Sequence, residues 1–282
     1  MARKVMQRGP QTITELELVN TTGVPQANSF VRVDRSLGLI NQRLYRQHMT
    51  YYAEATLQTD QTQGLVEVYA LASNWWCLGA LRTAKKMHDR AMKDERGATG
   101  QSRWYDFRIS GAPAGADELI PAGLTGDGAG PATAVDTTGS EYEFSRVEDA
   151  DGNAKTFELF TASGAGAFNV FTEWDRMGNV DVDPTTAPLG GYDAIVSDVQ
   201  SENQVDLLEK GNNPPYNRLV MNLRWVKVGE LYQNAQGAQS LSTGLFAAPL
   251  GLVYLKGFAA TTSNVRVIVP PGDYKGVMAS AI

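Results

Sequence analysis

Short segments in which apolar and polar residues alternate recur along most of this chain. The two clearest, residues 48–58 and 64–72, are rich in Val, Thr and Tyr and flank the turn-prone residues 59–64. Because successive side chains of a strand point to opposite faces, this alternation predicts two half-buried strands, which we expect to pair antiparallel. Similar segments predict further strands at residues 104–109, 141–147, 155–160, 167–174, 194–199, 218–228, 250–257 and 265–269. Between 141–147 and 155–160, the Asp-Gly and Gly-Asn pairs of residues 149–153 predict a hairpin turn, because such a turn requires positive φ.

This inventory of roughly nine or ten short strands indicates an all-β chain. It fits a single jelly-roll β-sandwich, in which two antiparallel sheets bury their alternating residues against each other, with one long helix and long loop insertions. The 43% of apolar residues is sufficient for one large core. No apolar run is long enough to cross a bilayer as a helix, so we expect no membrane span.

The one long helix is predicted to begin near Ser73–Asn74, which can cap it, and to end at Gly97. Its apolar residues recur every three or four positions, at Cys77, Ala80, Leu81, Ala84, Met87 and Ala91. The opposite face carries Arg82, Lys85, Lys86, Arg90, Lys93 and Arg96. That face is either solvated or in contact with a phosphate backbone. Trp75 and Trp76, at the start of the helix, are candidates either for packing or for stacking on bases.

Charge is distributed unevenly along the chain, although the whole carries only −6. Residues 1–110 hold 15 basic and 10 acidic side chains, residues 111–210 hold 4 and 19, and residues 211–282 hold 6 and 2. The middle segment is therefore strongly acidic, at −15, and the two outer segments are basic. If these segments reach different faces of the fold, one face suits a polyanion and the other repels it.

Composition also suggests a division into parts. We predict a basic amino-terminal arm over residues 1–47 and a jelly-roll domain over residues 48–282. Residues 111–140 consist largely of Gly, Ala, Pro, Thr and Asp, a composition that buries little apolar surface. We therefore expect a long external loop there.

The chain offers few groups for catalysis. It has a single Cys, Cys77, and two His, His48 and His88, none within a recognisable catalytic motif. We predict that the protein is not an enzyme and needs no cofactor. A carbohydrate-active or carbohydrate-binding β-sandwich is an alternative, because four glutamates lie on predicted strands and could face one cleft, namely Glu141, Glu143, Glu158 and Glu173.

Two aspartates form a candidate metal site. Asp181 and Asp183 place hard oxygen ligands close together in a predicted loop, where a structural divalent cation could bridge them or join two subunits. The other interpretation is a solvated acidic loop.

The carboxy-terminal third resembles a known family. Residues 242–255, STGLFAAPLGLVYL, and residues 265–279, VRVIVPPGDYKGVMA, are similar to the last strands of coat proteins of small icosahedral viruses, notably those with circular single-stranded DNA genomes from aquatic samples. The resemblance implies a jelly-roll shell domain that assembles with itself, in a multiple of sixty copies, into a closed capsid. It also implies a virion that assembles in a host cell and meets a host receptor, which the sequence does not identify.

The same resemblance places the basic arm inside the shell, in contact with packaged nucleic acid through phosphates and without base selectivity. The candidate contact residues are Arg3, Lys4, Arg8, Arg32, Arg35, Arg43 and Arg46. A phage tail or spike module is a further alternative, because it would also be a β-rich structural subunit.

Overall fold

The computed structural model describes residues 11–20, 28–59, 64–93, 104–113, 115–123, 133–134, 143–148, 152–161, 166–178, 224–233, 239–257 and 263–282. These residues form a mostly β structure, so the prediction of an all-β, sandwich-like class is confirmed. The finer jelly-roll arrangement stays a prediction.

Among the described residues, twelve strands form one large sheet, in the order β11-β10-β4-β13-β2-β5-β1-β14-β3-β12, with β15 beside β3 and β6 beside β5. Neighbouring strands are antiparallel except for the parallel pair β2 and β5. The strands are β1 Glu15–Asn20, β2 Asn28–Arg32, β3 Met49–Thr59, β4 Gly64–Leu71, β5 Asp117–Gly123, β6 Thr133–Ala134, β10 Trp225–Gln233, β11 Gln239–Ser240, β12 Ser242–Pro249, β13 Leu252–Lys256, β14 Ser263–Ile268 and β15 Ala279–Ala281.

The large sheet curls until it is nearly closed. Gly229 of β10 lies so near β12 that a side-chain carbon at position 229 would be 2.7 Å from Cγ2 of Thr243. Glycine therefore permits the close approach of the two strands. Thr243 also links β12 to β3, because its Oγ1 accepts a hydrogen bond of 3.0 Å from the backbone N–H of Ala55.

The interior of this sheet holds the larger core. Alternate residues of the strands point inward and are fully buried, including Leu16, Val31, Ala53, Val68, Leu231, Val253 and Val267. This pattern confirms that period-two alternation marks the buried faces of the strands. Burial of apolar side chains against one another supplies the main favourable contribution to such a fold.

A smaller sheet and two helices build a second core. The sheet consists of β7 Arg146–Glu148, β8 Ala154–Glu158 and β9 Ala167–Asn169, in that order. It packs with α2 Trp75–Ala91 and α3 Val170–Gly178 around a cluster that includes Leu81, Phe157, Phe171 and Leu252. A further helix, α1 Val33–Asn41, follows β2 directly.

Several local predictions are confirmed. The long helix begins at Trp75, and Oδ1 of Asn74 caps it by accepting a 2.7 Å hydrogen bond from the backbone N–H of Cys77. The antiparallel pair β7 and β8 is present, and Gly152 adopts a φ of +80° between the two strands. No helix among the described residues is both long enough and apolar enough to cross a membrane.

The pairing predicted for the first two strands is wrong. β3 pairs with β12, β14 and β15, whereas β4 pairs with β10 and β13. Alternation specifies which face of a strand is buried and does not specify its partner, so adjacent strands can join distant parts of one sheet.

Two segments predicted to lie outside the core belong to the large sheet. Within the predicted arm, 1–47, strands β1 and β2 and helix α1 are integral, and Leu16 and Leu18 are buried. Within the predicted external loop, 111–140, strand β5 lies between β1 and β2, with Leu119 fully buried. In both segments a few apolar residues bury completely although the surrounding composition is polar or small.

Two other predicted strands differ in the structure. Residues 104–110 are extended, but Ser110 makes only an isolated bridge to Glu158. The strand predicted for 167–174 stops at Asn169, because Oδ1 of Asn169 accepts a 2.9 Å hydrogen bond from the N–H of Thr172 and so caps helix α3.

Candidate nucleic-acid interface

One face of α2 carries three cations. Arg82, Lys85 and Lys86 are spaced by three and four residues, so their side chains project from the same face of the helix. Lys85 forms an ion pair with Asp89, one turn further along. Arg82 and Lys86 are exposed and form no ion pair within 4.0 Å to any residue that the structure describes.

A fourth cation, Arg46, faces this helix from the segment between α1 and β3. Its backbone is held on both sides: its N–H donates a 3.0 Å hydrogen bond to the hydroxyl of Tyr274, and its carbonyl accepts a 2.6 Å bond from the hydroxyl of Tyr51. The rings of these tyrosines contact each other edge to face, with centroids 6.4 Å apart. The backbone that presents the exposed Arg46 side chain is therefore fixed by buried and half-buried aromatic groups.

Gln47 links the segment before β3 to the backbone of Ile109 by hydrogen bonds. This fully buried side chain accepts a 2.6 Å hydrogen bond from the N–H of Ile109 and donates one of 2.9 Å to its carbonyl. The backbone N–H of Gln47 also donates to Asp106 Oδ2 at 2.9 Å. Burial raises the pKa of Asp106, and this hydrogen bond opposes the rise. The extended residues 104–110 are thereby held against the start of β3.

Aromatic and imidazole rings form the floor of the site. Tyr105 stacks on His88, with ring planes 16° apart, and its hydroxyl lies 3.1 Å from His88 Nδ1. His48 contacts Phe107 edge to face and is only 9% exposed. Burial, and then the charge of Lys85, lower the pKa of His48 to about 4, so its ring is neutral at pH 7.

An open cavity of about 450 Å³ lies between α2, the segment before β3 and residues 105–107. We call it the basic cavity. Its lining includes Arg46, His48, Arg82, Lys85, Lys86 and Tyr105, and β15 closes one side. Four cations face two acids, Asp89 and Asp106, so the charged side chains of the lining sum to +2. A concave site with this balance attracts anions and focuses their approach.

Two of the predicted contact residues lie beside a carboxylate of the large sheet, and their contact with nucleic acid stays a prediction. Arg35 Nη1 lies 2.6 Å from Glu118 Oε2 on β5, and Arg32 Nε lies 4.0 Å from the other oxygen of the same carboxylate. Arg32 is 2% exposed, and its guanidinium lies over the ring of Phe144. Both arginines therefore bind an internal carboxylate and do not line the basic cavity.

The other predicted residues lie in the basic cavity, beside it, or in segments that the structure does not describe. Arg46 lines the basic cavity, as described above. Arg43 is half-buried near Lys275, whose pKa is lowered first by burial and then by the charges of Arg46 and Arg43. Five predicted site residues lie outside the described part of the chain, namely Arg3, Lys4, Arg8, Asp181 and Asp183.

The sequence analysis missed several parts of this site. The α2 cations appeared there only as one of two interpretations of a charged face, and neither Gln47 nor Tyr105 carried a recognisable pattern. Of the two tryptophans, Trp76 stacks on Phe171 with centroids 5.3 Å apart, as expected for packing, while Trp75 is 63% exposed.

Comparison with known proteins adds no relative. No protein-family model matches the chain, and no match emerges among curated proteins or solved structures.

Proposed function

We propose that this chain is the coat protein of a small icosahedral virus and that the basic cavity contacts its packaged nucleic acid. The observation that carries the proposal is the convergence of Arg46, from the segment between α1 and β3, with Arg82 and Lys86 of α2. These three side chains are exposed and unpaired among the described residues, so they are available to phosphates. The fold neutralises Arg32 and Arg35 internally and leaves these three cations accessible.

The resemblance to coat proteins supports the structural role. Its two segments contain β12, most of β13 and β14, and the first residue of β15, and these strands lie in the large, nearly closed sheet beside β2, β3 and β4. On this proposal the sheet is a jelly roll, the subunit is not an enzyme, and the assembled virion contains a multiple of sixty copies.

Exposed apolar residues on the strands supply candidate subunit contacts. Leu65 and Leu245 are each 54% exposed, and Leu65 lies directly opposite Tyr232 in the pairing of β4 with β10. Exposed apolar side chains that cluster on a surface are typical of protein interfaces. We propose that a second copy of this chain covers them.

Expression of the full chain, followed by electron microscopy and measurement of solution mass, tests assembly. Uniform closed particles support the coat proposal. A ring or trimer supports the tail or spike alternative, and a monomer at all salt and nucleic-acid concentrations contradicts both.

The interface is tested by replacing Arg46, Arg82 and Lys86 together by Ala. For single-stranded DNA, each lost phosphate contact lowers the slope of log affinity against log salt by about 0.7, so we expect a decrease of about 2. The matched control is Arg90→Ala, which removes an exposed cation of α2 outside the cavity. An equal effect of the control, or an unchanged slope in the triple variant, contradicts the assignment.

A further inference from the structure

We propose that the basic cavity accepts one nucleotide of a single-stranded nucleic acid, with its phosphate against Arg46, Arg82 and Lys86 and its base against Tyr105. This inference rests on the proposed function and names the form of nucleic acid that the site selects. It goes beyond phosphate attraction alone, which would not favour single strands over duplexes.

The size and walls of the cavity favour a nucleotide. Its volume of about 450 Å³ lies within the range typical of small-molecule sites. The cations lie on α2 and on the segment before β3, and Tyr105 comes from the extended residues 104–110. Cationic groups and an aromatic ring in one cavity are the combination that single-strand-binding sites use.

The position of the Tyr105 ring is fixed before any ligand arrives. Its stacking on His88 and the 3.1 Å approach of its hydroxyl to His88 Nδ1 set the plane of the ring. The buried hydrogen bonds from Gln47 to Ile109 anchor the backbone that carries it. A ring held in this way loses little conformational freedom when a base stacks on it.

The cavity wall also holds polar groups beside the ring. His48 is nine-tenths buried, and its Nδ1 has no hydrogen-bond partner among the described residues. Asp106 lies next to Tyr105 and also lines the cavity. The edge of an unpaired base carries donors and acceptors that suit such groups. In a duplex these edges and both faces of the base are already occupied, so a duplex cannot make the same contacts.

Fluorescence anisotropy with the purified full chain tests this inference. The probes are a labelled oligothymidylate of about 16 nucleotides, within the site sizes of single-strand binders, and a duplex of equal length. We expect Tyr105→Leu to weaken binding of the single strand at least about fivefold, the lower end of the effect of losing one base–aromatic stack. Duplex binding should be unchanged, and Tyr105→Phe should retain single-strand binding.

Photo-crosslinking of the unmodified protein gives a second test that does not depend on the folding of a variant. The same oligonucleotide carrying 5-iododeoxyuridine is irradiated with the protein, and the attached peptide is identified by mass spectrometry. A crosslink within residues 104–110 supports the inference. Crosslinks confined to peptides that do not line the cavity overturn it.

The two proposals fail in different ways. If Tyr105→Leu changes neither probe while the Arg46, Arg82 and Lys86 triple variant weakens both, the cavity binds only phosphates and the nucleotide inference is wrong. If the triple variant also changes neither probe, the proposed nucleic-acid interface is wrong as well.

Discussion

Replacement of Gln47 by Ala tests how much the buried hydrogen bonds between Gln47 and Ile109 stabilise the fold. The Gln47 side chain satisfies both backbone groups of Ile109, through bonds of 2.6 Å and 2.9 Å, and both residues are fully buried. The substitution leaves a buried N–H and a buried carbonyl without these partners. Each such group costs about 1–3 kcal/mol, so we expect the free energy of unfolding to fall by about 4 kcal/mol.

Asn41 provides a matched control because its side chain makes the same pair of bonds at an exposed place. Oδ1 of Asn41 accepts from the N–H of Ile13 at 2.7 Å, and its Nδ2 donates to the carbonyl of Ile13 at 2.9 Å. Ile13 is 49% exposed, so water can replace the lost amide. We expect Asn41→Ala to cost about 1 kcal/mol or less.

The assay is urea unfolding of the purified chain, monitored by circular dichroism. Asn41→Ala also deletes the 3.1 Å bond that Nδ2 of Asn41 donates to the carbonyl of Leu37. The two variants should nevertheless differ by about 3 kcal/mol, because only Gln47→Ala leaves fully buried backbone groups without their partners. Equal losses for Gln47→Ala and Asn41→Ala would refute this reasoning.

Three further predictions concern a helix cap, a buried histidine and an internal ion pair. Asn74→Ala removes the cap of α2 and should cost about 1 kcal/mol, measured as a lower thermal midpoint; an unchanged midpoint contradicts this role. Because the pKa of His48 is about 4 in the folded state and 6.5 in the unfolded chain, only the unfolded chain takes up a proton as pH falls through this window. The free energy of unfolding should therefore fall by up to about 3 kcal/mol between pH 6.5 and 4. In His48→Gln, the urea midpoint should change less with pH over this range. If the pH dependence of the midpoint is the same in the variant, His48 is not the cause of the loss. Glu118→Gln removes the carboxylate beside buried Arg32 and should lower the free energy of unfolding, measured in urea, by about 3 kcal/mol. Arg35→Ala should cost less, because the Arg35 side chain is 19% exposed. A larger loss for Arg35→Ala would contradict this.

The elements that could be predicted from the sequence are those that are determined by residues close together in the chain. Helix α2 needs only the Asn74 cap and apolar residues at helical spacing, and both occur within one short segment. The turn between β7 and β8 likewise depends on one glycine, Gly152, with a positive φ. Neither feature requires knowledge of a distant partner.

The errors arise where distant segments decide the structure. Strand β5 contains Leu119 and Ile120 within a segment rich in small residues, and its neighbours β1 and β2 lie about a hundred positions earlier. The average composition of residues 111–140 did not reveal that two of them, Leu119 and Ile120, are buried in the sheet. The pairing of β3 failed for the same reason, since its partners β12, β14 and β15 come from the last 41 residues of the chain, 242–282.

The candidate site was predicted only in part because charge type is visible in a sequence but charge pairing is not. Arg35 and Arg46 belong to one basic run, yet Arg35 meets Glu118, 83 positions away, while Arg46 forms no ion pair among the described residues. A cation already held 2.6 Å from a carboxylate must give up that partner before it binds a phosphate. An exposed cation without one needs only to release counterions, which favours binding. The difference between Arg35, which is paired, and Arg46, which is exposed and forms no ion pair among the described residues, therefore follows from β5, a strand within the segment predicted to be a loop.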